Sequence, residues 1–145
     1  MAHKNTYTVL AAAILALGGY IVWSQQSVDV AANAQTSGAQ KPLVNVSVPA
    51  LTGPAKIGET AFNAKCAACH GTNAAGNDGA GPPLIHKIYE PSHHGDGAFL
   101  VAPQNGVRAH HWPFGDMPPV KGVTQGDVKN IIAYVRALQR QNGIN

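Results

Sequence analysis

The distribution of hydrophobic and polar positions divides the chain into three parts. Residues 7–23 read YTVLAAAILALGGYIVW, a run without a charged side chain. At 1.5 Å per residue this predicts a helix about 26 Å long, and Thr6 and Ser24 extend it towards the ~30 Å hydrocarbon core of a bilayer. Residues 25–54 show no helical period and almost no charge, and their Ala, Gln, Ser, Val and Pro content predicts a flexible linker. Within it Val44, Val46 and Val48 alternate, so a short extended stretch could lie along a domain surface. From residue 55 helical periodicity returns. Ile57, Ala61, Phe62 and Lys65 recur at helical spacing over residues 56–68, and residues 97–105 form a short helix limited by Pro103 and Gly106. The clearest helix starts at Thr124-Gln-Gly-Asp127, a capping-box-like sequence. Val128, Ile131, Ile132, Val135 and Leu138 then share one face. Arg136 and Arg140 fall in the last turns, where cations suit the helix dipole, and Gly143 ends the helix. No strand-like alternation stands out between residues 55 and 145. The expectation is an all-α domain with long loops at 55–145, preceded by a linker at 25–54 and a membrane segment at 1–24.

Two readings compete for the apolar run. A cleaved signal peptide needs small residues at −3 and −1 just after it. Ala32 and Ala34 lie too far out, and Val22 and Ser24 lie inside the run. An uncleaved anchor also accounts for Tyr7 at one end and for Tyr20 and Trp23 at the other, since aromatic rings suit both interfaces. The anchor is the expectation. His3, Lys4 and the amino terminus precede the run, so the positive-inside rule exports everything downstream. The expected location is the inner (cytoplasmic) membrane, crossed once, with the domain on the periplasmic side.

Composition narrows the classes. The chain has 145 residues, enough for one domain and an anchor. Charged residues make up 12% of it, against a usual ~25%, and ten scattered Lys and Arg build no basic stripe, so nucleic acid is not an expected partner. Two Cys exclude a disulfide framework. Both lie in Cys66-Ala-Ala-Cys69-His70, the C-x-x-C-H pattern of covalent haem attachment. On one helical turn, two thiols three residues apart can reach the two vinyl groups of one porphyrin edge, and His70 then offers its imidazole to the iron. A thioredoxin-like site needs a preceding strand and a βαβ frame, and a zinc site needs a second ligand pair at matching spacing. The expected cofactor is one covalently bound haem c.

Together with further residues, this motif resembles the single-haem class I c-type cytochromes, over roughly residues 56–138. That family places a glycine and an aromatic eight and four residues before the first Cys, where this chain has Gly58 and Phe62. Its Gly-Pro-x-Leu turn corresponds to Gly81-Pro82-Pro83-Leu84, its last-helix aromatic to Tyr134, and its methionine ligand followed by prolines to Met117-Pro118-Pro119. The resemblance implies the class I cytochrome c fold, a few short helices and long loops around one haem. It also implies that Pro82 supplies the carbonyl accepting the other ring N–H of His70, and that Leu84 packs on the porphyrin.

The residues carry their own case for Met117. It is the only methionine beyond the apolar run, and two prolines after it stiffen the backbone. Met and His both serve as a sixth ligand, and a thioether opposite His stabilises ferrous iron. His70 and Met117 are thus the expected axial ligands. His86, His93, His94, His110 and His111 crowd the middle of the domain. They read as solvated loop residues or haem-propionate contacts, with an accessory copper or zinc site and a rival axial ligand as alternatives. Arg108 and Trp112 flank the second pair and are candidate propionate donors. From Gln35 onward nine Lys and Arg face six acids. Two propionates nearly cancel that excess, so no basic docking ring is visible. The expected function is a membrane-tethered one-electron carrier, not an enzyme, between a respiratory or exported redox-protein donor and an exported acceptor. A haem subunit of a larger oxidoreductase complex is the alternative, followed by a haem enzyme or gas sensor with an open iron position.

Overall fold

A computed structural model describes residues 41–145. The expected anchor and residues 25–40 of the expected linker lie outside the described residues. No helix among the described residues is long and apolar enough to cross a membrane.

Among the described residues, four α-helices and two single 3-10 turns carry the fold. Helix α1, Gly53–Lys65, starts three residues before the expected Lys56, because Pro54 occupies the first turn, where its missing N–H leaves nothing unpaired. The expected single helix over 56–68 is broken at Cys66 (φ −120°), and α2, Ala67–His70, is a separate turn. The 3-10 turns are Thr72–Ala74 and Lys87–Tyr89. Helix α3, Asp96–Asn105, contains Pro103 and ends at Gly106, and α4 is Gln125–Gln141.

The α1–α4 crossing organises the core. A Cβ placed on Gly58 would lie 1.9 Å from the Asn130 carbonyl oxygen, so only glycine lets the two backbones meet there. One turn on, the rings of Phe62 and Tyr134 pack 5.4 Å apart, both fully buried. Gly58 and Phe62 thus pack on the last helix near Tyr134, Gly58 against the backbone of Asn130 and Ile131 and Phe62 against the Tyr134 ring. The face of Val128, Ile131, Ile132, Val135 and Leu138 is buried as its spacing requires.

Two expectations change. Residues 43–51 run along the domain. The N–H groups of Leu43 and Val44 both donate to the Ala75 carbonyl, and Val44, Val46 and Leu51 pack on the core. Ser47 exchanges two hydrogen bonds with the Asn142 side chain. The valine alternation thus marks an extended segment belonging to the compact unit, which begins ahead of Ala55. The second concerns Arg136, expected in the last turns as a cation that suits the dipole and found buried, 7% exposed. Its Nε donates to Asp96 Oδ1 at 2.8 Å, its Nη1 to the Tyr89 carbonyl and to Gln139, and its Nη2 to the His94 carbonyl. A buried guanidinium needs such partners. Here they fasten the 89–96 segment to α4.

The cap of α4 is the expected capping box. Asp127 N–H donates to Thr124 Oγ1, and the Thr124 backbone N–H donates to the Asp127 carboxylate. Thr124→Ala should lower stability by about 1 kcal/mol in denaturant unfolding. Hydrogen bonds from the Thr124 backbone and hydroxyl hold the Asp127 carboxyl below its ordinary 3.8. A depressed carboxylate contributes stability above its unfolded pKa and loses it as pH falls through the folded one. The gap between Thr124→Ala and the unaltered protein should therefore be constant above about pH 4 and narrow only in part below it, because the hydroxyl bond to the carboxylate is lost on protonation while the Asp127 N–H bond to Thr124 Oγ1 is not.

Candidate functional site

The break at Cys66 gives the attachment motif its own turn. Cys66 is half-buried and Cys69 is exposed, and no disulfide joins them. Burial, aided by neighbouring Cys69, pushes the Cys66 thiol up to about 11. His70 Nδ1 lies 2.9 Å from the Pro82 carbonyl oxygen. A carbonyl only accepts, so Nδ1 carries the proton and Nε2 is left with a free lone pair that could ligate a metal. Burial lowers the His70 pKa more than the Pro82 bond raises it, which keeps the imidazole neutral. The hydrogen bond expected from the resemblance is thus present.

Met117 is held by its backbone. Its N–H and carbonyl each exchange a 2.9 Å hydrogen bond with Val107, closing the neck of loop 107–117. Gly106, at φ +74°, permits this: a Cβ there would lie 2.6 Å from the Met117 carbonyl oxygen. Inside the loop, Ala109 N–H donates to Asp116 Oδ1 at 2.8 Å. Beyond it, Val120 N–H donates to the Pro103 carbonyl, tying the chain after the two prolines to α3.

These groups meet at one cavity of about 860 Å³, within the ~300–1,000 Å³ usual for cofactor pockets. Cys66, Cys69, His70, Pro82, Leu84 and Met117 all line it, and Phe62, Ile131 and Ile132 supply apolar wall. Arg108 and Trp112 also line it. Arg108 is exposed, and the Trp112 indole N–H is buried beside the Tyr89 hydroxyl, whose burial-raised pKa it partly lowers. The donor set fits a covalently held haem: two thiols on one turn, a neutral oriented imidazole, a thioether on a braced loop, and apolar walls.

The spare histidines separate into two sets. His86 stacks edge-on against Trp112 with its Nδ1 accepting from Ile88 N–H, and neither it nor His93 lines the cavity. His94, His110 and His111 do line it, which leaves them as the histidines able to rival Met117. The rings of His93, His94, His110 and His111 form one cluster, with neighbouring centroids 4.1–5.9 Å apart. Partial desolvation and the other three imidazoles lower the pKa of His111.

Sequence reasoning missed the Arg136–Gln139 pair, which supports the site from behind. Gln139 Nε2 donates to the carbonyls of Leu84 and Tyr89. The signal was available: Ile132, Arg136 and Gln139 follow i, i+4, i+7 spacing on the buried side of α4. A family model described as cytochrome c matches residues 55–139. No curated protein and no solved structure matches the chain.

Proposed function

Because the chain belongs to the cytochrome c family, which binds haem c covalently and transfers electrons, we propose that it is a membrane-tethered one-electron carrier between redox proteins, with Met117 as the sixth ligand. The observation that carries this reading is the presence of both His70 and Met117 on the wall of one apolar cavity. When bound, the haem supplies an iron that accepts and returns a single electron. Cys66 and Cys69 are the thioether positions. His70 offers Nε2 while the Pro82 carbonyl fixes its ring. Met117 would offer its thioether to the iron and keep small molecules off the metal. Phe62, Leu84, Ile131 and Ile132 exclude water, so little reorganisation accompanies electron transfer. Arg108 and Trp112, which line the same cavity, are the candidate donors to the haem carboxylates.

The tether rests on the uncharged run at residues 7–23 and its aromatic ends. Purified holoprotein should take up and release one electron per chain reversibly in an anaerobic titration. In cells it should stay with washed membranes and begin at Met1 or Ala2. A mature chain beginning near Gln25 or Gln35 would refute the tether and leave the carrier standing, whereas irreversible reduction would refute the carrier.

A further inference from the structure

We propose that His93, His94 and His111 form a second metal site that binds one divalent ion of zinc or copper(II) type and thereby clips the Met117 loop to the body of the domain. One ligand nitrogen from each of the three lies within 4.8 Å of the others, and no other such group occurs among the described residues. Nitrogens sharing one tetrahedral ion at 2.0–2.1 Å stand about 3.4 Å apart. Closing that difference asks each ring to move inward by about an ångström, a small rotation for side chains of which two are exposed and one half-buried. All three donors are imidazoles, a set suited to zinc or copper and unsuited to calcium or magnesium.

The surroundings have features of a built site. His94 Nδ1 lies 2.6 Å from the Ile88 carbonyl oxygen. The proton is therefore on Nδ1, and Nε2 is the ligand atom, the arrangement that orients metal-bound histidines generally. The turn carrying His93 and His94 is anchored twice. Both backbone N–H groups donate to the Glu90 carbonyl, and the His94 carbonyl accepts from buried Arg136 at 2.6 Å. His111 comes from the other side, on the loop whose neck is the Val107–Met117 pair. Three ligands leave a fourth position for water or a fourth donor. His110 is the nearest further imidazole, with its ring 4.1 Å from that of His111 and its Nδ1 donating to the Arg108 carbonyl.

An ion at this point joins the 91–95 turn, fixed to α4, to the loop that presents Met117. Two of its ligands, His94 and His111, also line the haem cavity, but the covalent attachment runs through Cys66 and Cys69, so iron content and zinc content are separate readouts. The test is a calorimetric titration of zinc(II) into haem-loaded, full-length protein. One zinc per chain is expected in addition to one iron, with a melting temperature that rises as zinc is added. X-ray absorption at the zinc edge should show three imidazole nitrogens at about 2.0 Å. His111→Ala and the double variant His93→Ala/His94→Ala should each weaken zinc binding by about a hundredfold or more and abolish the melting shift, with one iron per chain retained. His111 is exposed, so its substitution leaves the fold intact and keeps the test decisive. His3→Ala, which alters the one histidine outside the described residues, should change nothing. The proposal is overturned if the protein takes up no zinc, if zinc binds His111→Ala as tightly as before, or if His3→Ala removes it.

Discussion

Gly58→Ala is expected to lower the stability of the holoprotein by about 3 kcal/mol, the upper end for overpacking. The added Cβ would lie 1.9 Å from the Asn130 oxygen and 2.4 Å from its carbonyl carbon. Those are backbone atoms in the middle of a helix and cannot swing aside as a side chain would. Helices α1 and α4 must part, and the Phe62–Tyr134 ring contact and the Tyr134 hydroxyl bond to Asn73 Oδ1 loosen with them. For a domain of this size, 1 kcal/mol corresponds to ~4–8 °C, so melting should fall by about 15 °C. A variant melting within two or three degrees of the unaltered protein, by calorimetry, would show that the crossing tolerates a methyl group.

Met117→Ala has the largest expected effect on function. The Val107–Met117 hydrogen bonds are backbone to backbone, so alanine keeps the neck of the loop and removes only the thioether. The haem should remain attached through Cys66 and Cys69, and the protein should still contain one iron per chain. The ferric spectrum should lose its far-red sulfur-to-iron band, and exogenous ligands should bind. The potential should drop by about 0.1–0.3 V, part of the ~0.8 V that axial ligands span, because the ferrous form loses its soft ligand. Spectroelectrochemistry of the variant checks both. An unchanged potential with the band intact would mean that Met117 is not bound.

What the sequence made legible was local. The attachment motif lies within five consecutive residues, and the α4 cap lies within four. The α4 apolar face follows one period, and all five of its residues are buried. Gly58 and Phe62 were legible through the family resemblance, and the backbone atoms that Gly58 meets, those of Asn130 and Ile131, were not. What stayed hidden depended on partners far apart in the chain. Arg136 near a helix end satisfies the dipole argument equally well on the surface or inside. Only Asp96, the Tyr89 carbonyl and the His94 carbonyl, 40 to 47 residues away, decide that it is buried. The histidine pairs were visible as pairs. That His93 and His94 face His111 follows from two loop anchorages, one by Arg136 and one by the Val107–Met117 pair, and neither has a periodic signature. Val44, Val46 and Val48 alternate in a low-charge segment that reads as a linker. Their place on the domain is fixed by the Ala75 carbonyl and Asn142, again distant.

Exposure of the unaltered ferrous protein to carbon monoxide at neutral pH, with the ferric spectrum recorded alongside, tests the central claim most directly. A site closed by His70 and Met117 predicts slow binding, limited by release of the thioether, and a far-red sulfur-to-iron band in the ferric form. Rapid binding with no such band would show an open iron position and contradict the carrier in favour of an enzyme or sensor.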